Sequence, residues 1–209
     1  MTPVLRLWGR LSSINVRKVA WTLRELNLPY ERLEAGGSFG VVDTPGYRMH
    51  NPNGLVPLLE DGDFVLWESN VIVRYLCARH ALGTLYPEPL RARADAERWM
   101  DWQQTTLNPA GRNAFIQLIR KTAAQRDTPL LEQSIAATDP LVAMLDRHLA
   151  DRAYACGEQF TMADIPLGCE AHRWLNLPRP HPEWPHVERW YRSLRARPAT
   201  DTVLELPLQ

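Results

Sequence analysis

A proline sits inside the run Leu55-Val56-Pro57-Leu58-Leu59-Glu60, which is otherwise apolar and strand-forming. Proline has no backbone N–H to give to a ladder, so such a strand must lie at a sheet edge or carry a bulge. Asp61-Gly62 follows, a pair suited to a tight primed turn, and Asp63-Phe64-Val65-Leu66-Trp67 supplies the returning strand. This hairpin organises its neighbours. Upstream, Val4 to Trp8 reads as a short buried strand closed by Gly9. Val16, Val19, Ala20, Leu23 and Leu26 then recur at helical spacing from about Asn15 to Asn27. Tyr30-Glu31-Arg32-Leu33 forms a second strand, and a helix between two strands in so short a span makes a βαβ unit with a parallel pair. Gly36 to Asn53 reads as a loose segment of glycine and proline turns. Downstream, Glu68-Ser69-Asn70 opens a helix with Val71, Ile72, Tyr75 and Leu76 on one face.

The expected order is therefore β-α-β, a loop, then β-β-α, complete by about residue 80. From Arg91 the pattern is helical to the end: Arg91 to about Arg120, Thr128 to Ala150, Thr161 to Leu175, and His186 to Arg197. Pro109 and Pro140 are expected to kink or divide the two long helices. Gly83, Pro87 and Pro89 break the connector. The fold class is an α/β domain at 1–80, a linker at 81–89, and an all-α domain at 90–209.

Composition narrows the function. Lys and Arg number 24 and Asp and Glu 24, so no net charge draws the chain to nucleic acid or an anionic membrane. No apolar run approaches the roughly 20 residues that span a bilayer, and the start, from Met1 to Arg6, lacks the apolar core of a signal peptide. Cys77, Cys156 and Cys169 stand far apart, in no metal or disulfide spacing, and read as buried apolar thiols in a reducing cytosol; no metal site is expected. The eight tryptophans are an excess, read mostly as core, with a few left to line a pocket for flat apolar ligands.

Three short segments carry possible chemistry. Ser12-Ser13-Ile14-Asn15 places two hydroxyls and a carboxamide at the first turn of the first helix. Free N–H groups and partial positive charge there favour an anion such as a thiolate, and a side-chain donor lowers a thiol's pKa further. A plain helix cap by Ser13 or Asn15 is the competing explanation. Val56, if its bond to Pro57 is cis, offers its own N–H and C=O to an extended peptide; a simple edge proline is the alternative. Glu68-Ser69 at a helix start can hold an ammonium and a carboxylate side by side, although a capping serine explains the pair equally well. A fourth segment, Thr161-Met162-Ala163-Asp164, is a capping box and is read as structural.

Taken in order, these segments suit a tripeptide thiol with a free γ-glutamyl end. The runs S-S-I-N-V-R-K-V, N-P-N-G-L-V-P-L-L, W-E-S-N-V-I-V-R-Y-L and F-T-M-A-D-I together resemble the cytosolic glutathione transferases, nearest to bacterial serine-type members of theta-like and phi-like groups. The resemblance implies a thioredoxin-like first domain that holds glutathione. The resemblance also implies a catalytic hydroxyl four residues before the basic residue of the first helix, which from Arg17 nominates Ser13; Asn15 comes second, and Ser12, the zeta-like position, third. No tyrosine or cysteine occupies this turn, which sets aside the tyrosine-type and thiol-exchange mechanisms. The resemblance gives Val56 and Pro57 to the cysteinyl part, and Glu68 and Ser69 to the γ-glutamyl end. Gly54 and Asn70 stand where theta-like members carry a histidine and an arginine. The glycine-end carboxylate is therefore left to His50, Asn53 or Lys18.

Trp8, Arg10 and Leu11, with Trp102, Thr106, Asn108 and Arg112, are implied as the walls of an apolar electrophile pocket. The implied reaction is attack of the glutathione thiolate on a small apolar electrophile, in a cytoplasmic homodimer joined around Arg91–Trp102. Glutathione is a co-substrate, with no further cofactor. Glutathione-dependent peroxide reduction or isomerisation, or a non-enzymatic carrier or regulatory role, are the alternatives.

Overall fold

The computed structural model describes residues 4–209, so Met1 to Pro3, used in reading the N-terminus, lie outside the described residues. The chain divides into two compact units, Met1–Tyr86 and Pro87–Gln209.

The first unit holds strands β1 (Leu5–Trp8), β2 (Tyr30–Leu33), β3 (Leu58–Asp61) and β4 (Phe64–Trp67), in sheet order β2-β1-β3-β4. β1 and β2 run parallel, with Leu5 opposite Tyr30, while β3 is antiparallel to both β1 and β4. Helix α1 (Ile14–Glu25) crosses between the parallel strands, and α3 (Ser69–His80) packs beside it. Their buried faces carry Val16, Val19, Trp21, Leu23, Ile72, Val73 and Leu76, and each such side chain taken from water contributes roughly 1.5–3 kcal/mol. The face of α3 differs from the sequence expectation: Val73 and Cys77 are buried, whereas Val71 is exposed.

Three local expectations are corrected. The segment 36–53 is not loose throughout, because α2 (Pro45–His50) forms within it. Its proline starts the helix, and the Thr44 hydroxyl caps it by accepting the Tyr47 N–H at 3.3 Å. Pro57 does not lie in an edge strand. β3 is an interior strand that begins at Leu58, so the proline stands just ahead of the ladder and interrupts no bond. The hairpin register pairs Asp61 with Phe64, so the turn residues are Gly62 and Asp63, with Gly62 at φ +67°.

The second unit is helical. α4 (Leu90–Trp102), a widened π-type turn at Gln103–Leu107, α5 (Asn108–Phe115) and a second such turn at Ile116–Arg120 follow one another directly. The wide turn absorbs the ladder bond that Pro109 cannot make, which is how the expected division is realised. α6 (Thr128–His148), in contrast, runs through Pro140 as one element against α5, so that proline does not divide it. α7 (Asp164–Leu175) and α8 (Pro185–Arg195) complete the unit around Met100, Leu107, Leu145, Ile165, Trp174 and Trp190. No strand element follows Trp67 among the described residues, and none of their helices is long and apolar enough to cross a membrane. Cys77 and Cys169 are buried as expected, but Cys156 is only partly so.

The motif before α7 is more than a local cap. The Asp164 carboxylate accepts the Thr161 N–H at 2.9 Å, the Ala155 N–H at 2.8 Å and the Trp190 indole N–H at 2.9 Å. It thus ties the helix start to a preceding loop and to α8, contacts to which local spacing gives no clue.

Candidate active site

Topology brings the three chemical segments of the first unit to one end of the sheet. β1 and β2 are parallel, so their C-termini share an end; β3 starts there and β4 finishes there. Gly9 to Ser13, Val56, and Glu68-Ser69 all leave the ladder at that end, on adjacent strands about 4.8 Å apart.

Gly9 permits the convergence. At φ +147° it carries no Cβ, and one placed there would lie 2.4 Å from Val16 and 3.2 Å from Val56. The first turn of α1 and the Val56 segment can close on β1 only because that volume is empty. The loop from Arg10 to Ser13 is pinned by the buried Arg17, whose Nε donates to the Leu11 carbonyl at 2.6 Å, and by the Ser13 N–H on the Arg10 carbonyl at 3.1 Å.

Ser13 flanks α1 in an extended conformation, and its hydroxyl makes no capping bond. A simple cap does not account for it. Ile14, Asn15 and Val16 present the free N–H groups of the first turn, while the Arg17 N–H is taken by the Ser13 carbonyl. Asn15 keeps its side-chain oxygen buried with no partner among the described residues. Ser12 is half-buried in the same loop.

The Val56–Pro57 bond is cis. Neither the N–H nor the C=O of Val56 has a partner among the described residues. Leu55 is fixed through its carbonyl, which accepts the Tyr47 hydroxyl at 2.7 Å and the Asn51 amide at 2.8 Å. Burial pushes the Tyr47 phenol up to about 12, so it stays a donor through the physiological range. Trp8 backs this clamp, meeting Tyr47 edge-on with ring centres 6.1 Å apart and donating its indole N–H to Glu60 at 2.7 Å.

Glu68 adopts φ +73°, a conformation that costs a non-glycine residue about 1–3 kcal/mol. Its carboxylate is exposed, and its carbonyl accepts the Ile72 N–H at 2.9 Å to start α3. Ser69 is 3% exposed at the first position of that helix. Of the three residues nominated for a second carboxylate, Lys18 is fully buried in α1 and Asn53 is turned onto Asn51, its amide 3.2 Å from Oδ1. His50 is exposed at the end of α2.

The pocket residues nominated in the second unit lie along one helical run. Trp102 ends α4 edge-on to Trp99, with ring centres 5.2 Å apart, and Thr106 is exposed in the widened turn. Asn108 accepts from Arg173 at 2.9 Å, and Arg112 is exposed on α5. Under them lies a buried polar chain, in which Gln103 donates to Glu170 at 2.8 Å and Arg173 pairs with the same carboxylate at 3.2 Å. Sequence reasoning passed over Tyr47, Arg17 and the individual role of Asn51. Asn-Pro-Asn-Gly marks a turn and could have nominated Asn51, whereas Tyr47 lay in a helix too short to show a period.

The glutathione S-transferase N-terminal domain model matches residues 7–87 and the glutathione S-transferase C-terminal domain model matches residues 128–193. Glutathione S-transferase GstB of Escherichia coli is 40% identical over 98% of this chain and 100% of its own. Among solved structures, the theta class glutathione S-transferase of Xanthomonas axonopodis pv. citri with glutathione bound superposes with a TM-score of 0.95 at 43% identity, covering 99% of this chain and 100% of that one. The apo form of that enzyme gives a TM-score of 0.86 at 37% identity over the same shares. With both halves matched by the family's models and a full-length relative at this identity, the chain belongs to the glutathione S-transferase family.

Proposed function

We propose that the chain is a glutathione transferase that binds glutathione across the shared end of the sheet and directs its thiolate at small apolar electrophiles. The observation that carries this is the start of α1, where an uncapped Ser13 hydroxyl sits beside the free N–H groups of the first turn. Both favour an anion, and together they draw a thiol pKa from about 8.5 toward neutrality. Asn15 stands next in line: a half-turn of its amide exchanges a buried acceptor for a buried donor. Ser12 stands third.

In this reading Val56, ahead of Pro57, pairs by backbone with the cysteinyl part, Ser69 receives the γ-glutamyl carboxylate, and Glu68 its ammonium. Trp8, Arg10, Leu11, Trp102, Thr106, Asn108 and Arg112 are the residues we assign to the second substrate. Glutathione enters as a co-substrate. The chain works in the cytoplasm as a homodimer joined through α4, whose first residue, Leu90, is 75% exposed; light scattering tests the dimer directly.

The deciding experiment titrates glutathione calorimetrically at pH 7 in two buffers of different ionisation enthalpy. Heat that depends on the buffer shows a proton leaving as the thiol ionises. Binding without proton release leaves a carrier, and no binding at millimolar glutathione overturns the proposal. Turnover of hydroperoxides without turnover of aryl halides would replace conjugation by peroxide reduction.

A further inference from the structure

We infer that Arg10 is a carboxylate receptor of this site, and the assignment rests on the transferase reading above. Arg17, Arg32 and Arg48, which also lie on the segments around the end of the sheet, are all committed. Arg17 holds the Leu11 carbonyl at 2.6 Å. Arg32 pairs with Glu34 at 2.6 Å and donates to the Gly9 carbonyl at 3.0 Å. Arg48 pairs with Asp43 at 2.7 Å. Arg10 is half-buried, and among the described residues no carboxylate or carbonyl partners its guanidinium.

The guanidinium is nonetheless held in place. It lies on a shelf made by Gly36 and Gly37, both in the left-handed region at φ +78° and +62°. A Cβ on Gly36 would stand 2.8 Å from Arg10 Nη1 and 3.4 Å from both methyls of Val56, and one on Gly37 would stand 2.9 Å from Arg10 Cζ. Two missing side chains thus make the room that the planar group fills, next to the residue whose backbone is free. The same turn carries Ser13, since the Arg10 carbonyl accepts the Ser13 N–H at 3.1 Å. A cation that is partly desolvated, preoriented and without a counter-ion is arranged for an anion that arrives with a substrate. A planar fork suits a carboxylate.

That carboxylate has two sources. Sheet order puts Gly36-Gly37, after β2, on the far side of Val56 from Ser69, after β4. A peptide with its γ-glutamyl end on Ser69 and its cysteinyl on Val56 would send its glycine end that way. Equally, a second substrate could carry a carboxylate next to its electrophilic carbon, where the thiolate sulfur bonds to carbon as a halide leaves with the bonding pair.

The test uses two charge-paired probes on the full chain. Chloroacetate and chloroacetamide are compared as second substrates by kcat/KM; S-methylglutathione and its glycine-end monoethyl ester are compared as ligands by calorimetry. The wild type should favour the carboxylate member of one pair by about tenfold or more, the scale of a charge-assisted bond. Arg10→Gln should abolish that preference and Arg10→Lys should keep part of it. Gly36→Ala, which pushes a methyl into the shelf with the charge intact, should also reduce it.

The pair that responds identifies the source. Each preference is a ratio within one protein, so loss of folded material does not imitate the result. A wild type that accepts both members of both pairs equally, or a preference that survives Arg10→Gln, overturns the assignment while the transferase reading stands. A wild type that binds neither glutathione derivative at millimolar concentration overturns both.

Discussion

The Tyr47 hydroxyl donates to the Leu55 carbonyl at 2.7 Å, so a helix that contributes no backbone to the sheet fixes the residue just before Val56, whose backbone we propose pairs with glutathione. The Asn51 amide shares that carbonyl from the other side at 2.8 Å. Removing one donor leaves the other in place, and Tyr47→Phe is expected to cost about 1 kcal/mol of stability and to weaken glutathione binding a few-fold. Asn51→Ala also strips an acceptor from the Asn53 N–H and should cost about 1–3 kcal/mol. The double variant should lose more binding than the sum of the two. Urea melts and glutathione titrations of the three proteins measure this; strict additivity would mean that the two donors do not share a task.

Most of the first unit was legible in the sequence because its signals are local. The periodicity of each strand and helix, the Asp-Gly hairpin and the separate segments around Ser13, Val56 and Ser69 can each be read within a short window of sequence. What escaped depended on distance in the chain. Whether Pro57 lies at an edge is decided by β1, which pairs with β3 from fifty residues away and makes it interior. Tyr47 acquires its role from Leu55 and Trp8 together. The freedom of Arg10 is legible only once Arg17, Arg32 and Arg48 are seen to be occupied. Asp164 looked like a local cap because its other partners, Ala155 and Trp190, come from a loop and a helix whose approach no periodicity encodes.

If the Ser13 hydroxyl stabilises the thiolate, Ser13→Ala should lower kcat/KM by one to two orders of magnitude with glutathione affinity nearly unchanged, since the lost bond is made to the sulfur alone. The pH-rate profile should move upward, toward the ordinary thiol value near 8.5. Asn15→Ala should give the same signature with a smaller amplitude. A larger loss at Asn15 than at Ser13, seen in steady-state kinetics across pH, would reverse the order of the two residues.

Glu68 holds a left-handed backbone against its own preference, so Glu68→Gly should raise thermal stability by about 1 kcal/mol. The same change removes the exposed carboxylate proposed for the γ-glutamyl ammonium and should weaken glutathione binding several-fold. Calorimetric melting and titration read the two effects separately. A stabilised variant with unchanged affinity would remove Glu68 from the binding surface and leave only the turn.

Burial pushes the Asp164 carboxyl up to about 6, while its backbone and indole donors pull the other way. A carboxyl whose pKa is higher folded than unfolded binds its proton more tightly in the native state, so folding draws strength from protonation. Its contribution is complete below the unfolded value near 3.9 and is lost as pH rises through the folded value. Wild-type stability relative to Asp164→Asn should therefore fall between about pH 4 and pH 6 and level off above. At pH 8 Asp164→Asn should still cost about 1–3 kcal/mol, because an amide has one acceptor where three N–H groups converge. Denaturant midpoints at closely spaced pH values for both proteins provide the difference curve; a flat one would mean that folding leaves the carboxyl's proton affinity unchanged.

The sheet of the first unit has two ends with different duties. One gathers Gly9, Val56 and Ser69; the other holds the start of β1, the connection from α1 into β2 and the Gly62-Asp63 turn of the hairpin. Gly9 and Ser69 reach the first end along β1 and β4, and Val56 leads into β3 there, so these three strands must be folded together to display the candidate site. The turn at Gly62-Asp63 is correspondingly a strand's length removed from the candidate site. A fluorophore, an affinity handle or a short insertion placed there would report on or immobilise the protein at the end of the sheet opposite the candidate site.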